Sequence, residues 1–173
     1  MASYYYLLAA LPDLRYDGEM PISYDEFLAL CEKNVSGATY ETLKNLTLAS
    51  SGGPFIGQWH KAYGDLMAEL NRRRCAELGK PAPADGGGDA AAAAAAQAAM
   101  AAKNPLEAEK ILLNYEFECL DSLVGTHIFD DTCLFGYAIK LKLLERQACF
   151  VQSKGKAEFK RLFDLVQQRV YSL

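Results

Sequence analysis

Histidine and carboxylate side chains that lie close together in the sequence are the first candidates for chemistry in this chain. His127 is followed by Asp130 and Asp131. Such a group could act as a base–acid pair or supply metal ligands, but metal sites usually combine three or four converging ligands. Two carboxylates just before an apolar helix are also typical of a helix cap. We therefore interpret this corner as a cap, expect a structural or solvated role for His60, and predict neither a metal nor another cofactor.

The remaining groups that could react give no catalytic pattern. The chain has five cysteines without C-x-x-C spacing, which is typical of buried thiols in a reducing compartment. Cysteine catalysis would need a histidine within reach. Gly52-Gly53 and the glycines at 86–88 lack the Lys-Ser/Thr ending of a phosphate-binding loop. We therefore predict that this protein is not an enzyme.

Two clusters of charged residues could bind another protein. Three arginines follow one another near the end of a predicted helix, where cations also favour the helix macrodipole. The predicted helix after Asn104 carries many carboxylates. A docking surface and a solvated exterior both explain such charges, and both interpretations stay open. The residues that we predict to dock a partner are Arg72, Arg73, Arg74, Glu107, Glu109 and Glu116.

The elements that would position these residues are all helices. Ser23 with Glu26 three residues later predicts a capping box, and Asn104 before Pro105 predicts another helix start. Apolar residues recur at steps of three and four from Phe55 to Leu70, which is the period of an α-helix. No segment shows sustained alternation of apolar and polar residues. The sequence therefore predicts an all-α fold.

Composition divides the chain into three parts. Residues 1–80 form an N-terminal helical region, 81–103 a low-complexity linker rich in Pro, Gly and Ala, and 104–173 a C-terminal three-helix region. We expect a bundle of about six helices, either as one body or as two small subdomains joined by that linker.

Charge and the N-terminal segment bear on partners and location. The net charge is −4, which does not favour nucleic-acid binding, because that function usually needs a basic face. The apolar stretch Tyr4–Leu11 is ended by Pro12 and is shorter than a signal peptide or membrane span. We therefore expect a cytoplasmic protein that reaches a membrane only through a partner.

Several segments resemble a family of uncharacterised bacterial proteins encoded in V-type ATPase operons. The resemblance covers the first dozen residues and most of 104–163. The helix at 135–150, followed by Gly155 and a further helix, is also similar to the C-terminal pattern of the V-type ATPase C subunit. The alanine-rich stretch has no counterpart in this resemblance. The segments are S-Y-Y-Y-L-L-A-A-L-P-D-L, N-P-L-E-A-E-K, F-E-C-L-D, H-I-F-D and Y-A-I-K-L-K-L-L-E-R.

The resemblance implies a non-catalytic, all-helical component of a bacterial V-type ATPase. Such a component, reduced in length from a C subunit, would couple the soluble rotor shaft to the membrane ring at the inner membrane. Its partners would be other ATPase subunits, and its docking would depend on shape and charge complementarity. An assembly factor or a peripheral-stalk adaptor of the same complex is an alternative.

A third hypothesis belongs to a different class of protein. A small helical enzyme or ligand-binding protein would use a pocket near His127, Asp130, Asp131 and Tyr137. That hypothesis requires these groups to converge in one deep polar pocket with perturbed pKa values.

Overall fold

The computed structural model describes residues 4–81, 89–150 and 152–171. Within these ranges it contains eight α-helices and no strand, which confirms the all-α prediction. The expected number of about six was too low, because a short N-terminal helix and an alanine-rich helix both form. The helices are α1 (Tyr5–Ala10), α2 (Tyr24–Glu32), α3 (Gly37–Lys44), α4 (Pro54–Glu77), α5 (Ala90–Met100), α6 (Pro105–Val124), α7 (Asp131–Ala148) and α8 (Gln152–Tyr171).

The helix starts follow the capping residues in the sequence. The Ser23 hydroxyl accepts a hydrogen bond from the Glu26 amide, and the Glu26 carboxylate accepts one from the Ser23 amide, so the predicted capping box is confirmed. Asn104 caps α6 and Asp130 caps α7 through a side-chain oxygen that accepts a hydrogen bond from the amide three positions later, without the reciprocal bond of a capping box. Gly125 ends α6 with a φ angle of 55°, a backbone conformation that residues other than glycine rarely adopt.

The main core lies between α2, α3, the first half of α4, the second half of α6, and α7. Trp59 is 1% exposed, and its indole N–H donates a hydrogen bond to the Leu48 carbonyl oxygen at 3.0 Å. Phe27 from α2 and Leu134 from α7 are completely buried in the same cluster. This core therefore combines residues from the predicted regions 1–80 and 104–173.

A second, smaller core joins α4, α5 and α6. Ala92, Ala96 and Ala99 lie on one side of α5 and pack against Leu66 and Leu70 of α4. Part of the predicted linker 81–103 is therefore a packed helix. The short side chain of alanine allows α5 to approach its neighbouring helices closely. Residues 82–88 of that linker lie outside the described residues.

The end of the chain also differs from the expected arrangement. Gly155, which follows the helix at 135–150 and precedes a further helix in the resemblance, lies within α8, which runs without interruption from Gln152 to Tyr171. Among the described side chains of the predicted three-helix region, those that contribute to the two cores belong to α6 and α7. In α8, all described side chains from Gly155 to Arg169 are exposed.

Candidate functional site

The N-terminal segment is held against the loop between α6 and α7. The Tyr4 backbone amide donates a hydrogen bond to the Phe129 carbonyl oxygen at 2.8 Å. The Tyr4 hydroxyl donates another to Asp131 Oδ1 at 2.8 Å, and the ring of Tyr5 lies 4.6 Å from that of Phe129. Phe129 has φ 59°, which is uncommon for a residue other than glycine. These contacts from α1 help to hold that backbone conformation.

His127 and Asp130 form the pair that the sequence suggested, and the pair closes a helix start. His127 Nδ1 lies 2.6 Å from Asp130 Oδ2, while Asp130 Oδ1 accepts a hydrogen bond from the Cys133 amide. Burial opposes ionisation of Asp130, but its hydrogen bonds with Cys133 and His127 lower its pKa overall. One carboxylate oxygen therefore caps α7, as the cap interpretation expects, and the other pairs with His127.

The other two groups of the ligand-binding hypothesis, Tyr137 and Asp131, have partners outside the His127–Asp130 pair. Tyr137 donates a hydrogen bond to the Pro12 carbonyl oxygen at 3.0 Å, and burial raises its pKa to about 12, so its hydroxyl stays protonated. Asp131 accepts from Tyr4. A cavity of about 520 Å³ next to this corner is lined by Asp131 but not by His127, Asp130 or Tyr137. The required convergence is not formed there.

A buried ion cluster connects α6 to α7. The Arg146 guanidinium donates to both oxygens of Glu116, at 2.9 and 2.5 Å, and to Glu109 Oε1 at 2.7 Å. Glu116 is 1% exposed. Burial raises the pKa of Glu116, and the hydrogen bond from Arg146 only partly opposes this rise. Burial disfavours the charge on Arg146, but hydrogen bonds with Glu116 and Glu109 outweigh this effect and raise the pKa of Arg146. Glu116 and Glu109 therefore hold two helices together, and Glu116 does not reach the surface.

The arginine cluster on α4 is largely engaged within the chain. Arg72 and Arg73 both donate to Glu69, at 2.6–2.8 Å, and Glu69 is 3% exposed. A second group of Arg73 donates to the Ala93 carbonyl oxygen of α5 at 3.2 Å. The hydrogen bond from Arg72 lowers the pKa of Glu69. Arg72 and Arg74 are both exposed, but of these two only Arg72 binds Glu69.

Glu107 stabilises the start of α6. Its amide donates to Asn104 Oδ1 at 2.9 Å, and its carboxylate accepts a weak hydrogen bond from the Lys103 amide at 3.3 Å. Farther along the same helix, Asp121 forms an ion pair with Lys140 of α7 at 2.5 Å. The acidic residues of α6 thus serve mainly in its cap and its contact with α7.

Among the described residues, no group of three or more His, Cys, Asp or Glu side chains is arranged to hold a metal ion. Cys31 is buried, and burial raises its thiol pKa to about 12, which disfavours the reactive thiolate. His60 Nδ1 lies 3.1 Å from the Ala49 carbonyl oxygen. Burial of Cys31 and the contact of His60 with Ala49 give both residues a structural role.

An apolar surface that contacts neither core among the described residues lies on α8. Phe159, Leu162, Phe163 and Val166 are 71%, 50%, 51% and 60% exposed. The rings of Phe159 and Phe163 stack with centroids 6.2 Å apart. Along the stretches that the structure describes, no helix has both the length and the apolar character needed to cross a membrane. The surface of α8 is amphipathic, because these four apolar side chains lie on a helix that also carries charged residues.

Comparisons of this chain with models of known protein families, with curated proteins and with solved structures find no match.

Sequence reasoning missed two residues that organise these sites. Glu69 lies one turn before the arginine cluster, and this i, i+3 and i, i+4 spacing could have identified it as their partner. Tyr4 gave no local signal, because its partner Asp131 lies 127 positions away.

Proposed function

We propose that this protein is a non-catalytic component of a bacterial V-type ATPase, either a C-like central-stalk subunit or an accessory protein. The observation that carries this proposal is that segments resembling the operon-encoded family form one connected substructure. The N-terminal segment contacts the H-I-F-D segment through Tyr4 and Phe129. Pro12 from its end accepts a hydrogen bond from Tyr137 at the start of Y-A-I-K-L-K-L-L-E-R.

The other two segments of the resemblance join the same substructure. Glu109 in N-P-L-E-A-E-K binds Arg146 at the end of L-L-E-R, and Asp121 in F-E-C-L-D pairs with Lys140 of Y-A-I-K-L-K-L-L-E-R. The alanine helix α5, which has no counterpart in the resemblance, packs outside this unit against α4 and α6. Polar side chains in the unit pair with one another, which suits a structural component better than a catalyst.

The proposal is tested by affinity purification of the tagged protein from the bacterium that encodes it. We expect stoichiometric V-type ATPase subunits in the eluate, identified by mass spectrometry. Membranes from a strain lacking this gene should show reduced ATP-driven ion transport, and the tagged gene should restore it. Purification without any ATPase subunit, or full coupled transport in the deletion strain, would contradict the proposal.

The same purification separates the subunit from the assembly-factor alternative. A subunit remains with the fully assembled complex on a native gel. An assembly factor is enriched in incomplete complexes and leaves the mature one.

A further inference from the structure

Four apolar side chains on α8 have the spacing of a helix that docks in a groove. Phe159, Leu162, Phe163 and Val166 occupy positions i, i+3, i+4 and i+7, so they form one stripe along the helix. Amphipathic helices that dock into apolar grooves of other proteins use anchors at these positions. All four side chains are at least 50% exposed, so the stripe has no partner within the described chain.

The helix is basic, while the rest of the chain is acidic. Residues 152–171 contain five Lys or Arg and two Asp or Glu, a net charge of +3. The remaining residues contain thirteen Lys or Arg and twenty Asp or Glu, a net charge of −7. A surface that attracts α8 should therefore be acidic.

The charges beside the apolar stripe are arranged unequally on its two sides. Lys156 and Lys160 lie one turn apart and next to Phe163, so one border is basic. The other border carries charges of both signs, because Glu158 pairs with Arg161 at 2.5 Å one turn before Leu162 and Arg169 lies one turn after Val166. The complementary groove therefore needs carboxylates mainly along one wall.

The charge of α8 disfavours pairing of two α8 helices, because two copies would bring net charges of +3 together. A second copy that binds α8 through its acidic body, and an anionic membrane, are alternative occupants that the test below distinguishes.

We propose that α8 docks its apolar stripe into a groove between helices of another subunit of the same V-type ATPase, with carboxylates of that subunit facing Lys156 and Lys160. This inference rests on the proposed function and assigns the contact to one helix. The core of this protein remains free to fold without the partner, because no described side chain of α8 belongs to either core cluster.

The test compares full-length tagged variants purified from the native bacterium. Phe159→Ser/Phe163→Ser removes two anchors, and Ala157→Ser/Gln168→Ser is the matched control on the opposite face of α8. We expect the anchor variant to recover roughly tenfold less ATPase per tagged protein, as for hot-spot truncations, and the control to match wild type. Unfolding curves of the purified variants should coincide, which shows that both retain their fold.

Charge reversal tests the acidic wall separately. Lys156→Glu/Lys160→Glu should lower ATPase recovery several-fold, and raising the salt concentration should weaken wild-type recovery more than that of the reversed variant. Equal recovery by the reversed variant at low salt would contradict an acidic groove.

Three outcomes would overturn the inference in distinguishable ways. Undiminished ATPase recovery by the anchor variant refutes docking through α8 and leaves the proposed function standing. Absence of ATPase subunits with the wild-type protein refutes both. In the third outcome, α8 binds something other than an ATPase subunit. A second copy would be shown by a wild-type dimer in light scattering that the anchor variant does not form. A membrane would be shown by wild-type sedimentation with vesicles of roughly three parts phosphatidylcholine to one part phosphatidylglycerol, which the anchor variant loses.

Discussion

Replacement of Arg146 by methionine measures the cost of an unpaired buried charge between α6 and α7. Methionine keeps the apolar stem but removes the guanidinium that binds Glu109 and Glu116. Glu116 is 1% exposed, so its carboxylate would lose two hydrogen bonds without gaining contact with water. Removal of one partner from a buried pair typically costs about 3–5 kcal/mol in the free energy of unfolding.

Urea unfolding followed by far-UV circular dichroism measures this loss. With a slope of about 2 kcal/mol per molar urea, Arg146→Met should lower the unfolding midpoint by roughly 1.5–2.5 M. Arg161→Met is the matched control, because its ion pair with Glu158 is solvent-exposed, and its midpoint should stay unchanged. Glu116→Leu combined with Arg146→Met should recover part of the loss, because the fully buried charge of Glu116 is removed while Glu109, whose side chain is 15% exposed, still lacks its partner.

The pH dependence identifies the cause of the loss. Burial raises the pKa of Glu116 above its ordinary value of 4.5, and Arg146→Met removes the group that opposes this rise. The protonated carboxyl then favours the folded state at low pH, and this advantage is lost as pH rises through the folded-state pKa. The deficit relative to wild type should therefore shrink from pH 7 toward about pH 5. A deficit that does not change with pH, or a double variant as unstable as the single one, would refute a buried-charge penalty.

Three further predictions concern packing and acid stability. Gly136→Ala should lower stability by about 1–3 kcal/mol, because the new Cβ would lie 2.6 Å from a side chain of α6. In the control Gly64→Ala, the new Cβ has no atom within 4 Å, so stability should rise by about 1 kcal/mol. Equal changes in the urea midpoint of the two variants would contradict the packing argument. Ala96→Leu should cost about 1–3 kcal/mol at the buried α5 contact, and the exposed control Ala98→Leu less than about 0.5 kcal/mol, by thermal unfolding. The hydrogen bonds from Arg72 and Arg73 lower the pKa of Glu69 below 4.5, so the stabilisation from its charged form exists above that pH and is lost on acidification. Glu69→Gln should therefore be less stable than wild type at neutral pH and lose less stability between about pH 5 and pH 3. Parallel stability–pH profiles for variant and wild type would exclude a stabilising charge on Glu69.

Helix starts could be predicted because their determinants lie within a few residues of one another. The capping box of Ser23 and Glu26 and the caps of Asn104 and Asp130 all involve a hydrogen bond to an amide three positions later. The polar cap is favourable in almost any surrounding, so tertiary structure does not need to select it. The all-α class follows from these caps and from the helical period of the apolar residues.

The alanine-rich helix shows where this local information ends. Its sequence is nearly uniform and carries no apolar period, so the face that becomes buried could not be identified. Leu66, Leu70 and Leu112 define that face from two other helices. The sequence favours helix formation by alanine, but only the approach of α4 and α6 decides that Ala92, Ala96 and Ala99 become buried.

The candidate docking residues separated for the same reason. Glu107 and Glu116 are alike in sequence and lie on one helix, yet the first serves a helix start and the second is buried against Arg146. Arg72 and Arg74 are two positions apart, but Glu69 binds only the former of the two. Charge type is visible in the sequence, whereas the availability of a charge depends on which helix lies opposite.

By itself, then, the sequence determined the all-α class, the caps of α2, α6 and α7, and the amphipathic pattern of α8. Only the tertiary structure decided that the stripe of α8 is exposed, that α5 is packed, and that Tyr4 closes the corner at Phe129. The physical reason is range: propensity and capping act over about one helical turn, while burial depends on contacts between residues far apart in the chain.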